Sequence, residues 1–287
     1  TNILKKYLKK RTSTKIKILL LSAITQILYL DFKGYAVTND TVEVAKIKNL
    51  NPGLINALLK NIINESEIIN KKKFDQSCVP LWFSEELKKC KINIDKLIYN
   101  VSNEPSLHLV FKNKFFLDNF IDKHIKTSET SAFIEKKSGI EDINNYFKGN
   151  WWIQDFSSML PIYLSPELTN KKIIDMCSAP GGKAFQALSL GADLSLNDVS
   201  DKRIKILKDN LIRLKFNNDV FKLNALNITE EEKFDVVILD SPCSGIGTLR
   251  RNPDILYKKK PPNLEKLKKI QKKLINKAAK LLNRKGI

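Results

Sequence analysis

The chain has 287 residues, of which 43% are hydrophobic and 28% charged, and its formal net charge at pH 7 is +19. This size and composition predict a globular protein with two domains, or one large domain with an appendage. The positive charge favours a phosphate-rich partner such as nucleic acid, although lysine far outnumbers the six arginines, a bias that an AT-rich genome would also produce.

Cysteine and histidine usage argues against a metal site and against disulfides. Cys78, Cys90, Cys177 and Cys243 include no pair at the spacing of a zinc knuckle, and the chain has only two histidines. The apolar run 16–30 follows a basic segment, but it lacks a small-residue cleavage site and is too short to span a membrane. We therefore expect a cytoplasmic monomer with no metal and no membrane association.

Residues 1–70 show helical periodicity. Apolar side chains recur at three- and four-residue spacing between positions 16 and 28, and Asn51-Pro-Gly begins a second helix. We expect a small all-helical domain over 1–70, then a lysine-rich connection. The short apolar runs and helical stretches over residues 80–150 predict a small α+β subdomain with a strand at 107–111. Trp151 and Trp152 are interpreted as packing at its junction with the next domain, with stacking on RNA bases as the alternative.

From residue 151 onward, apolar strands alternate with amphipathic helices. The predicted strands are 172–177, 193–198, 220–224 and 234–240, the predicted helices are 184–190, 201–215 and 264–282, and a further strand begins near 286. This alternation predicts an α/β domain with a parallel, doubly wound sheet over 151–287.

A glycine-rich turn, DMCSAPGGK at 175–183, follows the first of these strands, where such a sheet binds its cofactor. Gly181 and Gly182 let the backbone approach a ligand and begin the next helix. Because alanine follows Lys183, the turn is no phosphate-binding loop, and it also lacks the G-x-G-x-x-G pattern. Asp198, at the end of the second strand, can accept two ribose hydroxyls. A nucleoside cofactor without polyphosphate is predicted, and S-adenosylmethionine fits; an ordinary turn with a surface aspartate is the alternative.

Several motifs resemble, in order, those of the Sun/Fmu family of RNA 5-methylcytosine methyltransferases. They are QDFSS at 154–158, the turn at 175–183, DSPCSGIG at 240–247 and RRNPD at 250–254. The helical N-terminal part is similar, more loosely, to the NusB-like RNA-binding domain of the bacterial 16S rRNA branch. The resemblance implies a Rossmann-like class I methyltransferase core, S-adenosylmethionine as cofactor and small-subunit rRNA as partner.

The resemblance also implies roles for individual residues. The implied cofactor-binding residues are Cys177, Ser178, Ala179, Pro180, Gly181, Gly182, Lys183, Asp198, Asn224 and Asp240. The family commonly has aspartate where this chain has Asn224, which can still make one hydrogen bond to the adenine. Asp240 would stand near the transferred methyl group and the target base, and Arg250 and Arg251 are candidate RNA contacts.

Cys243 is the candidate for thiol chemistry. Cytosine carbon 5 becomes nucleophilic when a thiolate adds to carbon 6. Cys243, on a loop at the end of a strand and near Arg250 and Arg251 in sequence, could do this, with a packed loop thiol as the alternative. The resemblance instead implies that the nucleophile is a Thr-Cys cysteine on the next strand, just beyond residue 287, and that Cys243 serves product release. We therefore expect this chain by itself to turn over poorly.

Two other functions are compatible with the same sequence. One is a noncatalytic RNA-binding or ribosome assembly protein that retains the fold. The other is a tRNA 5-methylcytosine methyltransferase, since the same core would serve a different RNA.

Overall fold

A computed structural model describes residues 2–8, 12–30, 32–66, 69, 79–102, 105–135, 139–257 and 261–287. The chain divides into two compact units, Thr1–Cys78 and Val79–Ile287. The predicted domain limits at 70, 80 and 150 remain predictions. Cys78 lies outside the described residues.

The first unit is helical. Its helices are α1 (Asn2–Tyr7), α2 (Thr14–Tyr29), α3 (Gly34–Ile47) and α4 (Pro52–Asn64). Ser13 caps α2 by accepting from the Ile16 amide at 3.3 Å, and Asn51 caps α4 by accepting from the Leu54 amide at 3.0 Å. The predicted helical character is confirmed.

The sequence analysis did not separate α3 from its neighbours, because two of its core positions are polar. Thr38 and Thr41 are buried, and their hydroxyls donate to the carbonyl oxygens of Gly34 at 2.7 Å and Val37 at 2.6 Å within the same helix. The hydroxyls are satisfied locally. The buried face of α3 therefore includes polar residues, which conceal its helical periodicity in the sequence.

The second unit begins with two helices and an antiparallel sheet. These elements are α5 (Leu81–Lys89), α6 (Ile94–Ser102), β1 (Leu107–Phe111), α7 (Lys114–Asp118), β2 (His124–Ser128), β3 (Ser131–Ile134) and β4 (Trp151–Ile153). The strand order is β2-β3-β1-β4, and we call this the small sheet. Its last strand, β4, comes after the predicted limit at residue 150 and pairs with β1, with Trp152 opposite Val110.

The rest of the second unit is an α/β layer structure, as predicted. Its elements are α8 (Phe156–Tyr163), β5 (Lys172–Asp175), α9 (Gly182–Ser189), β6 (Asp193–Asn197), α10 (Asp201–Arg213), β7 (Val220–Phe221), β8 (Val236–Ile238) and α11 (Leu264–Leu281). The strands are parallel in the order β7-β6-β5-β8, and we call this the parallel sheet. On the outer side of β8, the Ile287 amide donates to the Asp235 carbonyl oxygen at 2.9 Å, and the Ile287 carbonyl accepts from Val237 at 2.8 Å.

Successive residues of β5 face opposite layers of the core. Ile173 packs in the cluster that contains α8, α9 and α10, whereas Ile174 packs in the cluster that contains α11. The observed strands are shorter than predicted, because residues such as Met176 and Asp240 leave the ladder to form loops at the carboxyl ends of the strands. These loops carry the candidate site.

The small sheet packs directly on the parallel-sheet layer. Trp152 is buried in the same cluster as Phe185 of α9, with ring centroids 5.7 Å apart, and Trp151 is buried on the other face of the small sheet. Both therefore pack, as the packing interpretation predicted. Arg213 donates to the carbonyl oxygen of Trp151 at 3.1 Å. Gly149 has a φ of +70°, and a Cβ there would lie 1.9 Å from the Arg213 carbonyl oxygen. No larger residue fits this joint.

A buried hydrogen-bond chain starts at His108 in the same joint. Its Nδ1 lies 2.7 Å from the carbonyl oxygen of Gln154, which can only accept, so Nδ1 carries the proton. Nε2 then accepts from the Thr127 hydroxyl at 2.9 Å. Thr127 accepts from the Ser131 hydroxyl at 2.8 Å, and Ser131 accepts from the Ser128 hydroxyl at 2.6 Å. Burial lowers the pKa of His108, which favours this neutral form.

Candidate active site

The turn after β5 is built around two glycines. Gly181 has a φ of +118°, in the left-handed region, and a Cβ there would lie 2.1 Å from the ring of Phe185. Gly182 begins α9, and a Cβ there would lie 3.1 Å from Cδ of Gln154. The first amides of a helix have no partner within it. The turn can therefore receive a carboxylate or another anionic group at the start of α9.

Asn197, the last residue of β6, ties together the loops that follow three neighbouring strands. Its side-chain amide donates to the carbonyl oxygens of Met176 at 2.9 Å and Leu223 at 3.2 Å, and its Oδ1 accepts from the Leu223 amide at 3.0 Å. Its backbone amide donates to Ser178 Oγ at 2.9 Å. The sequence analysis missed Asn197. The available signal was a single amide side chain at the end of an apolar strand.

Asp175, the last residue of β5, is buried beneath the turn, where its Oδ1 accepts from the Cys177 amide at 3.2 Å. The pKa of Asp175 is raised to about 7, mainly by burial and also by the negative charges of Asp240 and Asp198, against the opposing effects of the Cys177 amide and Lys183. A nearby positive charge favours the ionised form of a carboxyl group. Asp175 therefore suits a cationic group of a ligand.

Asp198 follows β6 and holds the turn from the neighbouring strand. Its carboxylate accepts from the amides of Ala179 at 3.3 Å and Ser200 at 2.9 Å. Arg203 places Nη2 3.2 Å from Oδ2 of Asp198 and also donates to the Ala179 carbonyl oxygen. The sequence analysis missed Arg203, although an arginine in the first turn of the following helix was a usable signal in so arginine-poor a chain. Oδ2 is thus engaged by Ala179 and Arg203, whereas Oδ1 accepts from Ser200 and keeps one lone pair for a ligand hydroxyl.

Asn224 lies three residues after β7 and begins a short 3-10 helix at 225–227. Its Oδ1 accepts from the Leu226 amide at 3.1 Å. Within the described part of the chain its side-chain NH₂ has no hydrogen-bond partner, so the group that it offers to a ligand is a donor.

Lys183 connects α9 with the loop that follows β8. Its Nζ lies 2.7 Å from Oδ2 of Asp240 and 3.2 Å from Oγ of Ser158 on α8. The Lys183 side chain is 15% exposed, whereas that of Asp240 is 62% exposed. The site therefore presents an ammonium and an open carboxylate side by side, a donor next to an acceptor.

The two cysteines near the site differ in exposure. Cys243 is exposed, three residues after Asp240. Cys177 is half-buried in the turn, and burial raises the pKa of its thiol to about 11, helped by the negative charge of Asp175. A thiol held protonated is a poor nucleophile, which argues against a nucleophilic role for Cys177.

Residues 240–257, which we call the 240–257 loop, are fixed at both ends. Near the start, Gln271 of α11 donates to the Pro242 carbonyl oxygen at 2.9 Å. Near the end, Arg251 makes a two-pronged ion pair with Asp155, with Nε 2.9 Å from both carboxylate oxygens and Nη2 2.6 Å from Oδ1. Arg250 is exposed. The sequence analysis did not identify Gln271, and it included Asp155 only as part of a family motif.

The described residues contain no cluster of three or more histidine, cysteine or acidic side chains that could hold a metal ion. In the same parts of the chain, no helix combines the length and the apolar character needed to cross a bilayer. The predicted cofactor residues from Cys177 to Lys183 and Asp198, Asn224 and Asp240 all lie at the carboxyl ends of β5 to β8.

Comparison with known families agrees with this architecture. Residues 161–287 match the family described as 16S rRNA methyltransferase RsmB/F, and residues 1–64 match the NusB family. The chain is similar to the ribosomal RNA small subunit methyltransferase B of Shewanella oneidensis, with 25% identity over 90% of this chain, and to that of Proteus mirabilis, with 24% identity over 90%. It spans 64% and 66% of the length of these relatives.

Solved structures share the fold. The match to the crystal structure of PH0851 covers 94% of this chain and 67% of the PH0851 chain, with a TM-score of 0.72 and 17% sequence identity. The match to the structure of a methyltransferase homolog from Pyrococcus horikoshii covers 66% of this chain and 65% of the homolog, with a TM-score of 0.54 and 22% sequence identity. The chain thus carries an RsmB/F (Sun/Fmu) methyltransferase domain over residues 161–287 and, ahead of it, a NusB family domain over residues 1–64.

Proposed function

We propose that the protein methylates carbon 5 of cytosine in RNA, with S-adenosylmethionine as methyl donor and 16S rRNA as substrate. The observation that carries the proposal is the convergence of Asp175, Lys183, Asp198 and Asp240 at the carboxyl ends of adjacent parallel strands. Open α/β sheets bind their ligands at this edge.

The residues at the turn fit the chemical groups of S-adenosylmethionine. Buried Asp175 suits the ammonium of the methionine moiety, and the first amides of α9, beginning at Gly182, suit its carboxylate. The remaining lone pair on Oδ1 of Asp198 suits a ribose hydroxyl, and the NH₂ of Asn224 suits a ring nitrogen of adenine. Lys183 is already paired with Asp240 and Arg203 with Asp198, so neither of these cations at the turn is free for a polyphosphate. When bound, the cofactor supplies an electrophilic methyl group.

Asp240 and Lys183 are proposed to hold the target base. A carboxylate can accept from the exocyclic amino group of cytosine, and Asp240 is exposed where a base could reach it. The neighbouring Lys183 ammonium pairs with Asp240 and can donate to the base. Because base edges inside a duplex are inaccessible to such a site, the target cytosine is presented from a single-stranded or flipped position.

Cys243 is proposed to act in product release. After methyl transfer, carbon 5 carries both the new methyl group and its original proton, and carbon 6 is bonded to the nucleophilic sulfur. A base removes the proton, the carbon–sulfur bond breaks with its electron pair on sulfur, and the ring recovers its conjugation. Cys243 is exposed on the same loop as Asp240, which supports it as that base. The nucleophile in a Thr-Cys pair remains a prediction.

RNA as the partner is supported by charge and by family. The formal net charge of +19 favours a polyanion. The relatives from Shewanella oneidensis and Proteus mirabilis bear names that describe methylation of small-subunit rRNA. Because this chain spans 64% and 66% of those relatives, the rRNA substrate is part of the proposal.

The test compares the chain with a C-terminally extended version that includes the predicted Thr-Cys pair. Both are incubated with methyl-labelled S-adenosylmethionine and, separately, 16S rRNA and tRNA, and methylated positions are mapped by bisulfite sequencing. We expect the extended version to modify cytosine in 16S rRNA and the shorter chain to bind cofactor with little turnover. Equal activity of both versions would refute the predicted nucleophile. Labelling of tRNA alone, or of no RNA, would refute the proposed substrate or reaction.

A further inference from the structure

The Arg251 side chain is tied to two separate parts of the second unit. Its Nε and Nη2 grip the carboxylate of Asp155, and Nη2 also donates to the Ser106 carbonyl oxygen at 3.3 Å. Asp155 stands at the N-terminal end of α8, yet its carboxylate makes no cap bond there. The Asp155 carboxylate therefore binds Arg251 and does not cap its own helix.

The contacts of Arg251 fix the 240–257 loop against the small sheet. Ser106 immediately precedes β1, and the residue next to Asp155, Gln154, binds His108 of β1 through its carbonyl oxygen at 2.7 Å. A local turn joins Arg251 to the rest of the loop, because the amide of Arg251 donates to the Thr248 carbonyl oxygen at 2.9 Å. The Arg251 side chain thus fixes the position of the loop that carries Asp240 and Cys243 relative to the small sheet.

We propose that Arg251 is a positioning residue that sets the 240–257 loop over the cofactor edge. The inference rests on the proposed function only in taking this loop as the site of methyl transfer. It revises the expectation that Arg251 contacts RNA, because most of its guanidinium donors are engaged within the protein. Arg250 is exposed and has no partner in the described part of the chain, so it keeps the expected role of contacting RNA.

The geometry of the pair depends on arginine itself. A guanidinium matches both oxygens of one carboxylate in a plane, whereas a lysine ammonium is a point charge that can satisfy one of them. Substitution of Arg251 by lysine therefore keeps the charge and loses the two-pronged contact. This separates positioning from simple electrostatics.

Hydrogen exchange of the chain as it stands tests the inference without cofactor or RNA. We expect Arg251→Gln and Asp155→Asn each to speed exchange of the amides of 248–252 about tenfold, the scale for loss of a partly exposed two-pronged ion pair. Arg251→Lys should give a smaller increase. Arg250→Gln, the matched control with the same charge change in the same loop, should leave exchange as in wild type. The exchanged pair Asp155→Arg with Arg251→Asp should restore part of the protection.

Kinetics of the C-terminally extended protein provide a second readout. Arg251→Gln should lower kcat about tenfold with KM for S-adenosylmethionine unchanged, because only the loop is displaced. Unaltered exchange in Arg251→Gln, or an equal increase in Arg250→Gln, would overturn the inference. A rise in KM for RNA alone, with kcat intact, would also overturn it and make Arg251 an RNA contact. If even the wild-type protein fails to methylate RNA, the proposed function falls while the exchange result still decides the positioning role.

Discussion

The buried carboxyl group of Asp175 makes the stability of the second unit depend on pH in a defined direction. Its pKa is about 7 in the folded protein, against an ordinary value of 3.8. The stabilisation from the protonated group is fully present below pH 3.8 and is lost as pH rises to about 7. The difference of about three pKa units corresponds to about 4 kcal/mol. Asp175→Asn cannot ionise, so its free energy of unfolding should rise relative to wild type by about that amount between pH 4 and 7.5.

Urea unfolding followed by tryptophan fluorescence measures this difference, since Trp82, Trp151 and Trp152 all lie in the second unit. Asp235→Asn is the control at the opposite end of the sheet. The Lys172 amide and Asn283 hold the pKa of Asp235 below its usual value, so its contribution is lost on acidification. A difference between Asp175→Asn and wild type that stays constant across this pH range would refute the reasoning. With saturating S-adenosylmethionine, the wild-type protein should lose this stabilisation at a lower pH, because a bound cation favours ionised Asp175.

Three further changes have defined outcomes. In the extended protein, Cys243→Ala should accumulate a covalent RNA adduct on denaturing gels, whereas Cys90→Ala should not; rapid turnover of Cys243→Ala would exclude a role in release. Gly181→Ala should cost about 2–4 kcal/mol in urea unfolding and abolish cofactor binding by calorimetry, because φ is positive and Phe185 blocks the Cβ; wild-type affinity would contradict this. Asn197→Ala should cost about 2–4 kcal/mol and speed hydrogen exchange in the loops after β5 and β7 together; an effect on one loop alone would contradict the shared role.

The sequence located the strand ends of the site well, because parallel strands bring their carboxyl ends to one edge of a sheet. The turn at 175–183, Asp198 and Asp240 each follow an apolar strand, and the structure places these strands side by side. Strand lengths were overestimated, since apolar residues such as Leu239 continue past the ladder into the loops.

The contacts that hold the loops could not be read in the same way. Arg251 and Asp155 lie 96 positions apart, and no local pattern marks them as a pair. Asn197 reads as the polar end of a strand, yet it bridges backbone atoms of Met176 and Leu223. The role of such side chains can be recognised only from the folded structure, because their partners are backbone carbonyl and amide groups that give no signal in the sequence.

The chain of hydroxyls at His108 has a single direction. One proton on Nδ1 decides the orientation of Thr127, then Ser131 and then Ser128, so these groups have one shared arrangement and no independent rotation. A second proton on the ring would turn Nε2 into a donor, and the Thr127 hydroxyl would have to rotate and donate elsewhere. Protonation of His108 would therefore disturb the hydroxyl groups of β2 and β3 together, inside the small sheet.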